Sequence, residues 1–417
     1  MTSIKFGTDG WRAIIADEFT FANVRACAQA TARYFRNAGG GIVITSSHNP
    51  ALYSGFKVRT DQASAAPPEE LSQIEGLIPE ALGGAVERMP LEEAKGKGLV
   101  RTFDPRADYL RHLSELVEIG RLREAGLRVV VDPMHGAGAG YLRELLAGGR
   151  TEVTEIRSER NPAFPGMHNP EPIARNLEAT REAVVQQEAE VALATDGDAD
   201  RIGVIDQRGE FIDQLRVFAL LAYYLLEVRG LRGPIVKSVT TTSMVQRLGE
   251  LYGVPVYETG VGFKYLGPKM IETDALIAGE ESGGFAFRGH LPERDGILSG
   301  LYILDLMARR RKSLPELIEE VFAKVGPHYY DRIDITMSPA ERDRIAALLP
   351  GLQPQAIDGL KVTGYDRTDG LRFLLEGGAW ALIRLSGTEP LMRIYTEVRE
   401  GDQVQPVLEA VRELTGA

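Results

Sequence analysis

Three aspartates at alternate positions form the segment with the clearest chemical meaning. The run DGDADR (196–201) lies between two apolar stretches, VALAT and RIGVI. The carboxylates of Asp196, Asp198 and Asp200 repel one another at this spacing unless a cation neutralises them, and oxygen ligands of this kind suit Mg²⁺. An EF-hand is a poor fit, because the loop lacks that motif's Gly at the sixth position and Glu at the twelfth. A solvated acidic turn is the alternative, but the flanking strands favour a metal site because α/β proteins bind ligands at strand ends.

A turn rich in hydroxyl groups follows the apolar stretch at 41–44. Its sequence is TSSHNP (45–50), in which Ser47 stands next to His48 and is a candidate nucleophile. By itself the segment is also compatible with an ordinary turn that ends at a proline. A phosphate on Ser47 would supply the oxygen ligand that a magnesium site with three carboxylates still lacks. The serine turn and the aspartate run are therefore better explained as parts of one site than as two separate features.

A third segment has the donors that a phosphate dianion requires. The run RLSGTEP (384–390) leads from a strand-like stretch into a loop. Guanidinium groups, hydroxyls and the backbone amides of a glycine turn are typical phosphate ligands. A tight turn with surface arginines is the alternative, and the residue types favour phosphate binding. The candidate ligands are Arg384, Ser386, Gly387, Thr388 and the following Arg393.

Other candidate segments are ambiguous on their own. The loop GEESGG (279–284) offers Glu280 and Ser282 as partners for vicinal sugar hydroxyls, although a plain glycine-rich loop is the simpler interpretation. The N-terminal run FGTDGWR, which ends at Arg12, carries a similarly weak signal. Three lysines are equally ambiguous, namely Lys57, Lys237 and Lys264.

The elements that must position these residues alternate along the chain. Short β-branched runs are separated by longer helical stretches, which predicts βαβ units with mainly parallel sheets. Thr20 is the candidate N-cap of the first helix. Strands are predicted at 42–45, 128–132, 191–195, 202–205 and 235–237, and helices at 21–37, 107–119, 140–146, 177–187 and 215–228. The C-terminal part differs and predicts a small α+β unit with an antiparallel sheet. Its strands are expected at 329–336, 372–375, 379–384 and 393–398, and its helices at 340–349 and 404–414.

Polar or Pro/Gly-containing stretches near 103–106, 207–213 and 325–328 divide the chain into four predicted domains. A chain of 417 residues has room for about two to four domains of typical size. The predicted domains cover residues 1–105, 106–209, 210–326 and 327–417. The serine turn falls in the first, the aspartate run in the second, the GEESGG loop in the third and the RLSGTEP loop in the fourth.

Composition excludes several classes of protein. Hydrophobic residues make up 44% and charged residues 26%, which is ordinary globular usage and excludes disorder, collagen and coiled coil for the chain as a whole. The net charge of −11 argues against a nucleic-acid surface but leaves room for a local cationic pocket that binds small anions. The single Cys27 excludes an internal disulfide and a Cys-rich zinc site, and favours the cytoplasm. The longest apolar run, 217–226, is too short to span a membrane.

Five motifs taken in order resemble the α-D-phosphohexomutase family, which includes phosphoglucomutases and phosphomannomutases. They are FGTDGWR, TSSHNP, DGDADR, GEESGG and RLSGTEP, and they span residues 6–390. The resemblance implies three related α/β domains with mainly parallel mixed sheets, and a smaller C-terminal α+β domain, around a central cleft. It also implies reversible conversion between a hexose 1-phosphate and a hexose 6-phosphate. In that reaction a phosphoserine donates its phosphoryl group, a hexose 1,6-bisphosphate forms and reorients, and the other phosphate returns to the serine.

The resemblance also implies a role for each candidate residue. Ser47 corresponds to the phosphoserine and, through its phosphate, to a metal ligand beside Asp196, Asp198 and Asp200. The residues expected around the transferring phosphoryl group are Arg12, His48, Lys57 and Arg201, with Lys57 as a candidate general acid or base. The sugar hydroxyls correspond to Glu280 and Ser282, and the lining of the cleft to Lys237 and Lys264. The phosphate that is not transferred corresponds to Arg384, Ser386, Gly387 and Thr388, with Arg393 nearby.

Two features depart from the family pattern. The family usually has Ala before the phosphoserine, whereas this chain has Ser46, and we assign the phosphoserine to Ser47 because it precedes His-Asn-Pro. The chain also passes from its first helix through the glycines at 39–41 directly into the serine strand. The family normally has two further strand–helix units at this point, on the order of 50 residues at typical sizes. We therefore predict an internally shortened first domain whose strand at 42–45 has lost neighbours.

The expected function is that of a phosphohexomutase of phosphoglucomutase type, with Mg²⁺ as cofactor and glucose 1,6-bisphosphate as activator and intermediate. GEESGG ends in Gly-Gly instead of Gly-His, which favours glucose over glucosamine, and phosphomannomutase activity is the second choice. An aspartyl-phosphate phosphatase that uses Asp196 and Asp198 is an alternative of another class, as is a catalytically weak protein that binds sugar phosphates. The expected partners are small sugar phosphates, without nucleic acid or membrane, and the chain is expected to act as a monomer or homodimer.

Overall fold

The computed structural model describes residues 4–7, 10–36, 39–84, 86–386 and 391–416. The strands are β1 Trp11–Ile14, β2 Gly40–Ile44, β3 Tyr53–Thr60, β4 Arg128–Asp132, β5 Glu152–Glu155, β6 Val191–Thr195, β7 Ile202–Asp206, β8 Phe211–Ile212, β9 Ile235–Ser238, β10 Val256–Thr259, β11 Ile277–Gly279, β12 Phe285–Phe287, β13 Tyr329–Thr336, β14 Ala356–Ile357, β15 Leu360–Asp366, β16 Leu371–Leu375, β17 Trp380–Leu385 and β18 Leu391–Val398. The helices are α1 Phe21–Tyr34, α2 Pro68–Gly83, α3 Leu91–Gly96, α4 Arg106–Leu116, α5 Ile119–Glu124, α6 Tyr141–Leu146, α7 Glu178–Gln186, α8 Gln214–Tyr223, α9 Met244–Tyr252, α10 Phe263–Thr273, α11 Gly296–Arg310, α12 Leu314–Val325, α13 Pro339–Leu348 and α14 Val404–Thr415.

These elements form two compact units. The first comprises Met1–Glu210 with Asp295–Ala308, and the second comprises Phe211–Arg294 with Arg309–Ala417. The first part of helix α11 therefore belongs to the first unit, although the preceding and following elements belong to the second. No helix within the described ranges is both long and apolar enough to cross a bilayer.

The serine turn connects two strands of a small sheet in the first unit. The strand order is β1-β3-β2, and both outer strands pair antiparallel with β3. Only residues 45–52 join β2 to β3, and a connection this short cannot carry a parallel crossover. Helices α1 and α2 belong to the hydrophobic core of this sheet, which includes Trp11, Phe56 and Ile74. Thr20 caps α1 as predicted, because its Oγ1 accepts a hydrogen bond of 3.2 Å from the amide of Asn23.

Strand β2 has an open edge and little cover. It pairs only with β3 among the described strands, and the exposed fractions of Ile42, Val43 and Ile44 are 42%, 41% and 54%. Three consecutive apolar side chains of a strand are normally buried when both faces are covered. The exposed side chains agree with the prediction that this strand has lost neighbours.

The aspartate run connects two buried strands of a second sheet in the first unit. Strand β4 pairs parallel with β5 and β6, and β6 pairs antiparallel with β7. All residues of β6 and β7 are buried, which agrees with their almost wholly apolar sequences, VALAT and IGVID. Strands β4 and β6 have the predicted bounds, and β7 is one residue longer than predicted. The predicted helix at 107–119 is instead divided at Val117 and Glu118 into α4 and α5.

The second unit contains a mixed sheet and an antiparallel sheet. Strands β10, β9 and β11 are parallel, and β12 is added antiparallel to β11. Every residue of helix α8 except Arg216 is buried, and the helix continues into a π-helical turn at Tyr224–Val228, so the predicted helix at 215–228 has two parts. The C-terminal sheet has the strand order β13-β18-β17-β16-β15-β14 and is antiparallel throughout, with α14 against it. The predicted small α+β unit is therefore confirmed.

Candidate active site

The turn after β2 directs Ser47 towards the aspartate run. Ser47 is a buried residue with a positive φ of 55°, a conformation that is unusual for a residue with a side chain. Its amide donates to Thr45 Oγ1 at 2.9 Å, which helps to hold this geometry. Its Oγ donates to Asp196 Oδ2 at 2.8 Å, although the two residues are 149 positions apart. By contrast, Ser46 Oγ donates to the carbonyl of Tyr53 at 3.1 Å, and this supports Ser47 as the functional serine.

The three aspartates lie together at the end of β6. One carboxylate oxygen from each of Asp196, Asp198 and Asp200 lies within 4.8 Å of the others. Asp196 Oδ1 accepts from the amides of Asp200 and Arg201 at 2.9 and 3.1 Å, so the loop curls around its own first carboxylate. Burial, followed by the charges of Asp198 and Asp200, raises the pKa of Asp196 well above its ordinary value. A cation bound by these oxygens would relieve this repulsion, so the donor set fits a hard divalent ion such as Mg²⁺.

Glycine allows the serine turn and the aspartate loop to approach closely. A Cβ at Gly197 would overlap the carbonyl oxygen of Ser47 and would also touch Pro170. A Cβ at Gly136 would likewise overlap the backbone of Asp196 and Gly197. The aspartate loop is therefore packed backbone to backbone on both sides, and side chains are excluded from these positions.

Two further residues expected near the phosphoryl group, Lys57 and His48, contact the aspartates and the serine. Lys57 Nζ, almost fully buried, lies 3.0 Å from Asp198 Oδ2 and 3.7 Å from Asp200 Oδ2. His48 Nδ1 lies 3.3 Å from Ser47 Oγ. Two positive or polar groups are thus held within the same cluster as the serine and the aspartates, in the arrangement that phosphoryl transfer needs.

Arg12 and Arg201 are held near the cluster by neighbouring polar groups. Arg12 Nη1 donates to Asn49 Oδ1 at 2.9 Å. Arg201 lies 3.7 Å from Glu171 and 3.8 Å from Asp200, and it is mostly buried. The structure therefore brings all the residues predicted around the phosphoryl group into one part of the first unit.

Several residues that support the site were missed by the sequence analysis. Thr45 Oγ1 donates to Asp198 Oδ2 at 3.2 Å, and Asn169 Nδ2 donates to the carbonyl of His48 at 2.9 Å. Asn176 in turn donates to Asn169 Oδ1 at 3.0 Å. A signal for Asn169 was available, because the tripeptide His-Asn-Pro occurs twice, at 48–50 and again at 168–170.

The start of helix α11 also supports the aspartate loop. The amide of Gly296 donates to the carbonyl of Ala199 at 3.0 Å, and a Cβ at Gly296 would overlap that loop. Asp295 caps the helix by accepting from the amide of Leu298 at 2.8 Å. Tyr109 holds the same carboxylate through a hydrogen bond of 2.8 Å from its hydroxyl. The contacts of Gly296 with Ala199 and of Tyr109 with Asp295 join segments far apart in the chain, so short-range sequence patterns did not indicate them.

In the second unit, the GEESGG loop forms a tight turn after β11. The amide of Glu280 donates to the carbonyl of Gly284 at 3.1 Å, and the amide of Gly283 donates to the carbonyl of Glu280 at 3.2 Å. The carboxylate of Glu280 lies 3.6 Å from the guanidinium of Arg294, whose side chain is almost fully buried. A Cβ at Gly284 would overlap the Arg294 side chain. The final glycine of the motif therefore makes room for a buried arginine.

Two lysines expected to line the cleft have different surroundings. Lys237 is buried, with Nζ 3.0 Å from Glu258 Oε2 and close to the carbonyls of Thr241 and Thr242. Glu258 also binds Arg372 of β16, so this lysine is part of an internal ion network that favours a structural role. Burial alone would raise the pKa of Glu258, but Lys237 and Arg372 lower it to about 2. Lys264 lies at the start of α10, with Nζ 5.2 Å from the ring of Tyr265.

The candidate phosphate ligands follow strand β17. Arg384 is directly paired with Arg393 of β18 in the sheet register, so the two side chains share one face. Arg384 Nε donates to Asp369 Oδ1 at 3.0 Å, and the amide of Ser386 donates to the carbonyl of Leu391 at 2.8 Å. Gly387 and Thr388 lie outside the described residues. Two adjacent arginines on paired strands remain consistent with a site for a dianion.

Comparison with known proteins finds matches to four domain models of one family, in order along the chain. The family models of phosphoglucomutase/phosphomannomutase α/β/α domains I, II and III match residues 36–82, 107–209 and 213–325. The model of the C-terminal domain of the same family matches residues 338–414. The mixed sheets of the second and third domains and the C-terminal α+β domain agree with this division.

Individual relatives differ in the substrate that their names give. A phosphoglucomutase/phosphomannomutase of Thermococcus kodakarensis is 32% identical over 373 residues, which are 89% of this chain and 78% of that protein. A probable phosphoglucosamine mutase of Methanothermobacter thermautotrophicus is 33% identical over 384 residues, 90% of this chain and 78% of that protein. A crystal structure from Thermus thermophilus, provisionally named a phosphomannomutase, has 34% identity, a TM-score of 0.84 and complete coverage (100%) of both chains. The chain belongs to the phosphoglucomutase/phosphomannomutase family, the α-D-phosphohexomutases, whose members are isomerases.

Proposed function

We propose that this chain interconverts hexose 1-phosphate and hexose 6-phosphate through a phosphoserine at Ser47, with glucose as the preferred sugar. The hydrogen bond from Ser47 Oγ to Asp196 carries the proposal, because it places the serine inside the carboxylate cluster. A serine at this position can carry a phosphate directly beside a bound cation. The fold family and the isomerase class of the relatives support the same reaction.

The reaction follows from this arrangement in two half-reactions. A hydroxyl oxygen of the hexose monophosphate attacks the phosphorus on Ser47, the bond from phosphorus to Oγ breaks, and the hydroxyl proton ends on Oγ. The resulting hexose 1,6-bisphosphate reorients, and Ser47 Oγ attacks the phosphorus at the other end. The bond from that phosphorus to the sugar oxygen breaks, and the sugar oxygen takes up the serine proton. The enzyme is thereby returned to its phosphorylated form.

Positively charged groups near Ser47 would stabilise the transferring phosphoryl group. When bound by Asp196, Asp198, Asp200 and the Ser47 phosphate, Mg²⁺ would offset negative charge on the phosphoryl oxygens. Lys57 is held by two of these carboxylates and is a candidate for proton transfer as well as charge stabilisation. His48 is positioned to exchange a proton with Ser47 Oγ, from which its Nδ1 is separated by 3.3 Å.

The surroundings of Glu280 favour glucose over glucosamine. Glu280 and Ser282 would bind the sugar hydroxyls, while Arg384, Ser386, Gly387, Thr388 and Arg393 would bind the phosphate that is not transferred. The buried guanidinium of Arg294 lies 3.6 Å from the carboxylate of Glu280. A positive charge on the ligand would be repelled by this guanidinium. Glucosamine phosphate carries an ammonium group, whereas glucose and mannose phosphates do not. Phosphomannomutase activity is therefore the second candidate, and relatives named phosphoglucosamine mutases make glucosamine 1-phosphate the third substrate to test.

A coupled assay tests the function directly. The full chain is incubated with glucose 1-phosphate, Mg²⁺ and a trace of glucose 1,6-bisphosphate, and glucose 6-phosphate is measured with a dehydrogenase. We expect turnover that is lost in Ser47→Ala and retained in Ser46→Ala, whose hydroxyl instead bonds to a backbone carbonyl. Asp198→Ala should remove the activity and leave the fold intact, because clustered carboxylates repel each other without a cation. Absence of turnover in the wild type, or full turnover in Ser47→Ala, would overturn the proposal.

The geometry disfavours an aspartyl-phosphate phosphatase. Both oxygens of Asp196 already accept hydrogen bonds, Oδ1 from two amides and Oδ2 from Ser47, and the residue is fully buried. A carboxylate that attacks phosphorus needs an oxygen directed at the substrate. The serine is therefore better placed than Asp196 to accept the phosphoryl group.

A further inference from the structure

The second glutamate of the GEESGG loop has a set of contacts that the proposed reaction does not use. Glu281 Oε1 accepts a hydrogen bond of 2.7 Å from the hydroxyl of Tyr330 and one of 2.8 Å from Nη1 of Arg332. Both partners lie on β13, the first strand of the C-terminal sheet, about 50 positions further along the chain (separations of 49 and 51). The loop after β11 is thus tied to another domain of the same unit.

The ion pairs continue from this glutamate to the candidate phosphate ligands. Arg332 Nε lies 3.3 Å from Asp334 Oδ1, and Asp334 Oδ2 lies 3.6 Å from Nε of Arg393. Asp334 and Arg393 are direct partners in the register of β13 and β18, and Arg393 is the register partner of Arg384. A continuous row of charged side chains therefore leads from the sugar loop to the two arginines.

The contact between Glu281 and Arg332 is largely shielded from solvent. The side chain of Glu281 is only 13% exposed, and that of Arg332 is 23% exposed. Burial alone would raise the pKa of Glu281, but the charge of Arg332 and the hydroxyl of Tyr330 keep it below its ordinary value, so the carboxylate is ionised at neutral pH. The ring of Tyr330 packs beside a small core formed by Val239, Trp380, Leu382 and Tyr395. Removing one partner of such a pair is destabilising, because the charge of the other partner is then left without compensation.

We infer that Glu281 is a positioning residue that fixes the sugar loop relative to Arg384 and Arg393. Glu281 lies between Glu280 and Ser282 in a turn closed by two backbone hydrogen bonds, so a shift of Glu281 moves both sugar ligands. A fixed distance between the sugar loop and the two arginines favours binding of a sugar phosphate over binding of inorganic phosphate. This inference rests on the proposed function, which makes Glu280 and Ser282 the sugar ligands.

The substitution Glu281→Gln tests this role. It preserves size and removes the charge that holds Arg332. We expect the KM for glucose 1-phosphate to rise about tenfold, which corresponds to the loss of one modest interaction, with kcat reduced much less. The inhibition constant of inorganic phosphate, which uses the arginines and not the sugar loop, should change by less than about twofold. Arg332→Gln should have the same effect, and the double variant should be no worse than either single variant, because the two residues form one link.

The chain offers a matched control in Glu320. This glutamate of α12 also accepts from a tyrosine hydroxyl, that of Tyr223 at 2.9 Å, and from an arginine, Arg310 at 2.7 Å, but these partners lie on α8 and α11 and not on the C-terminal sheet. Glu320→Gln should lower the melting temperature without changing either constant. A purely structural role for Glu281 would give that same result, and would overturn the inference. Equal losses for glucose 1-phosphate and inorganic phosphate would also overturn it. A wild type with no preference for glucose 1-phosphate over phosphate would instead overturn the proposed function, and the inference with it.

Discussion

The arrangement around Ser47 depends on a few residues whose size and backbone geometry allow no replacement. Ser47 has a positive φ, and its carbonyl faces the Cα of Gly197. Strained backbone of this kind costs about 1–3 kcal/mol, and it is maintained where surrounding contacts determine it. Here Thr45 and Asp196 supply those contacts on the serine. The strain is therefore associated with the residue that we propose to carry the phosphate.

Gly197→Ala tests this close approach. The added methyl group must displace the Ser47 carbonyl, so we expect a loss of stability of about 1–3 kcal/mol. A displacement of the reacting serine should also reduce kcat by about 100-fold, because positioning dominates phosphoryl transfer. Gly120→Ala on helix α5 is the control, since a Cβ there meets nothing within 4 Å. An alanine at 197 with unchanged kcat would show that the approach is not needed.

His328 gives a prediction about pH. Burial, followed by the positive charge of Arg399, lowers the pKa of His328 to about 3. The folded state therefore binds its proton much more weakly than the unfolded state, and stability is lost as the pH falls below about 6.5. Between about pH 7 and about pH 5 the loss should be about 2 kcal/mol from this residue. Denaturant unfolding of wild type and His328→Gln at both pH values measures it, and equal pH dependence in the two proteins would contradict the assignment.

At the scale of elements, the amphipathic and β-branched patterns predicted most of the strands and helices that hold the site. Strands β4 and β6 have the predicted bounds because each has a continuous apolar centre, VVV and VALA, that ends at a polar residue. The motifs TSSHNP and DGDADR predicted that the serine turn and the aspartates share one site, and Ser47 Oγ does donate to Asp196. The support from α11 and the burial of Lys237 against Glu258 could not be predicted, because they depend on contacts between segments far apart in the chain. Asn169 could have been found from the repeated His-Asn-Pro tripeptide, although its contact with His48 could not.

The first sheet should be the least stable element of the site. Among the described strands, β2 pairs with β3 alone and has three exposed apolar side chains, whereas β6 is buried and pairs with both β4 and β7. Native-state hydrogen exchange should therefore show opening of residues 41–44 at a lower free energy than residues 191–195. Because Ser47 follows β2, opening of this strand displaces the serine. We therefore expect a low kcat together with measurable affinity for glucose 1-phosphate. Equal protection of both strands would indicate that β2 is covered and would contradict this account.

At the scale of the whole molecule, the candidate residues are divided between the two compact units. The first contains Ser47 and the aspartates, and the second contains the GEESGG loop and the paired arginines. The net charge of −11 is compatible with anionic substrates because a few basic residues at these motifs can make a local positive region.

The variant Arg384→Ala tests whether one phosphate site serves both ends of the sugar. The loss of a charge-assisted hydrogen bond should weaken binding by roughly 1.5–3 kcal/mol. Because the sugar reorients between half-reactions, glucose 1-phosphate and glucose 6-phosphate should be affected alike. Calorimetric titration of each ligand into the variant measures this. An effect on only one of the two phosphates would contradict a shared site.

The position of the transferred phosphate tests the central claim most directly. The full chain is incubated with glucose 1,6-bisphosphate and Mg²⁺, digested, and its phosphopeptides are identified by mass spectrometry with and without hydroxylamine. We predict one phosphate on Ser47 that survives hydroxylamine, because a serine ester resists this reagent and an acyl phosphate does not. Phosphate on Asp196 that is lost with hydroxylamine, or phosphate on Ser46 in place of Ser47, would contradict the account.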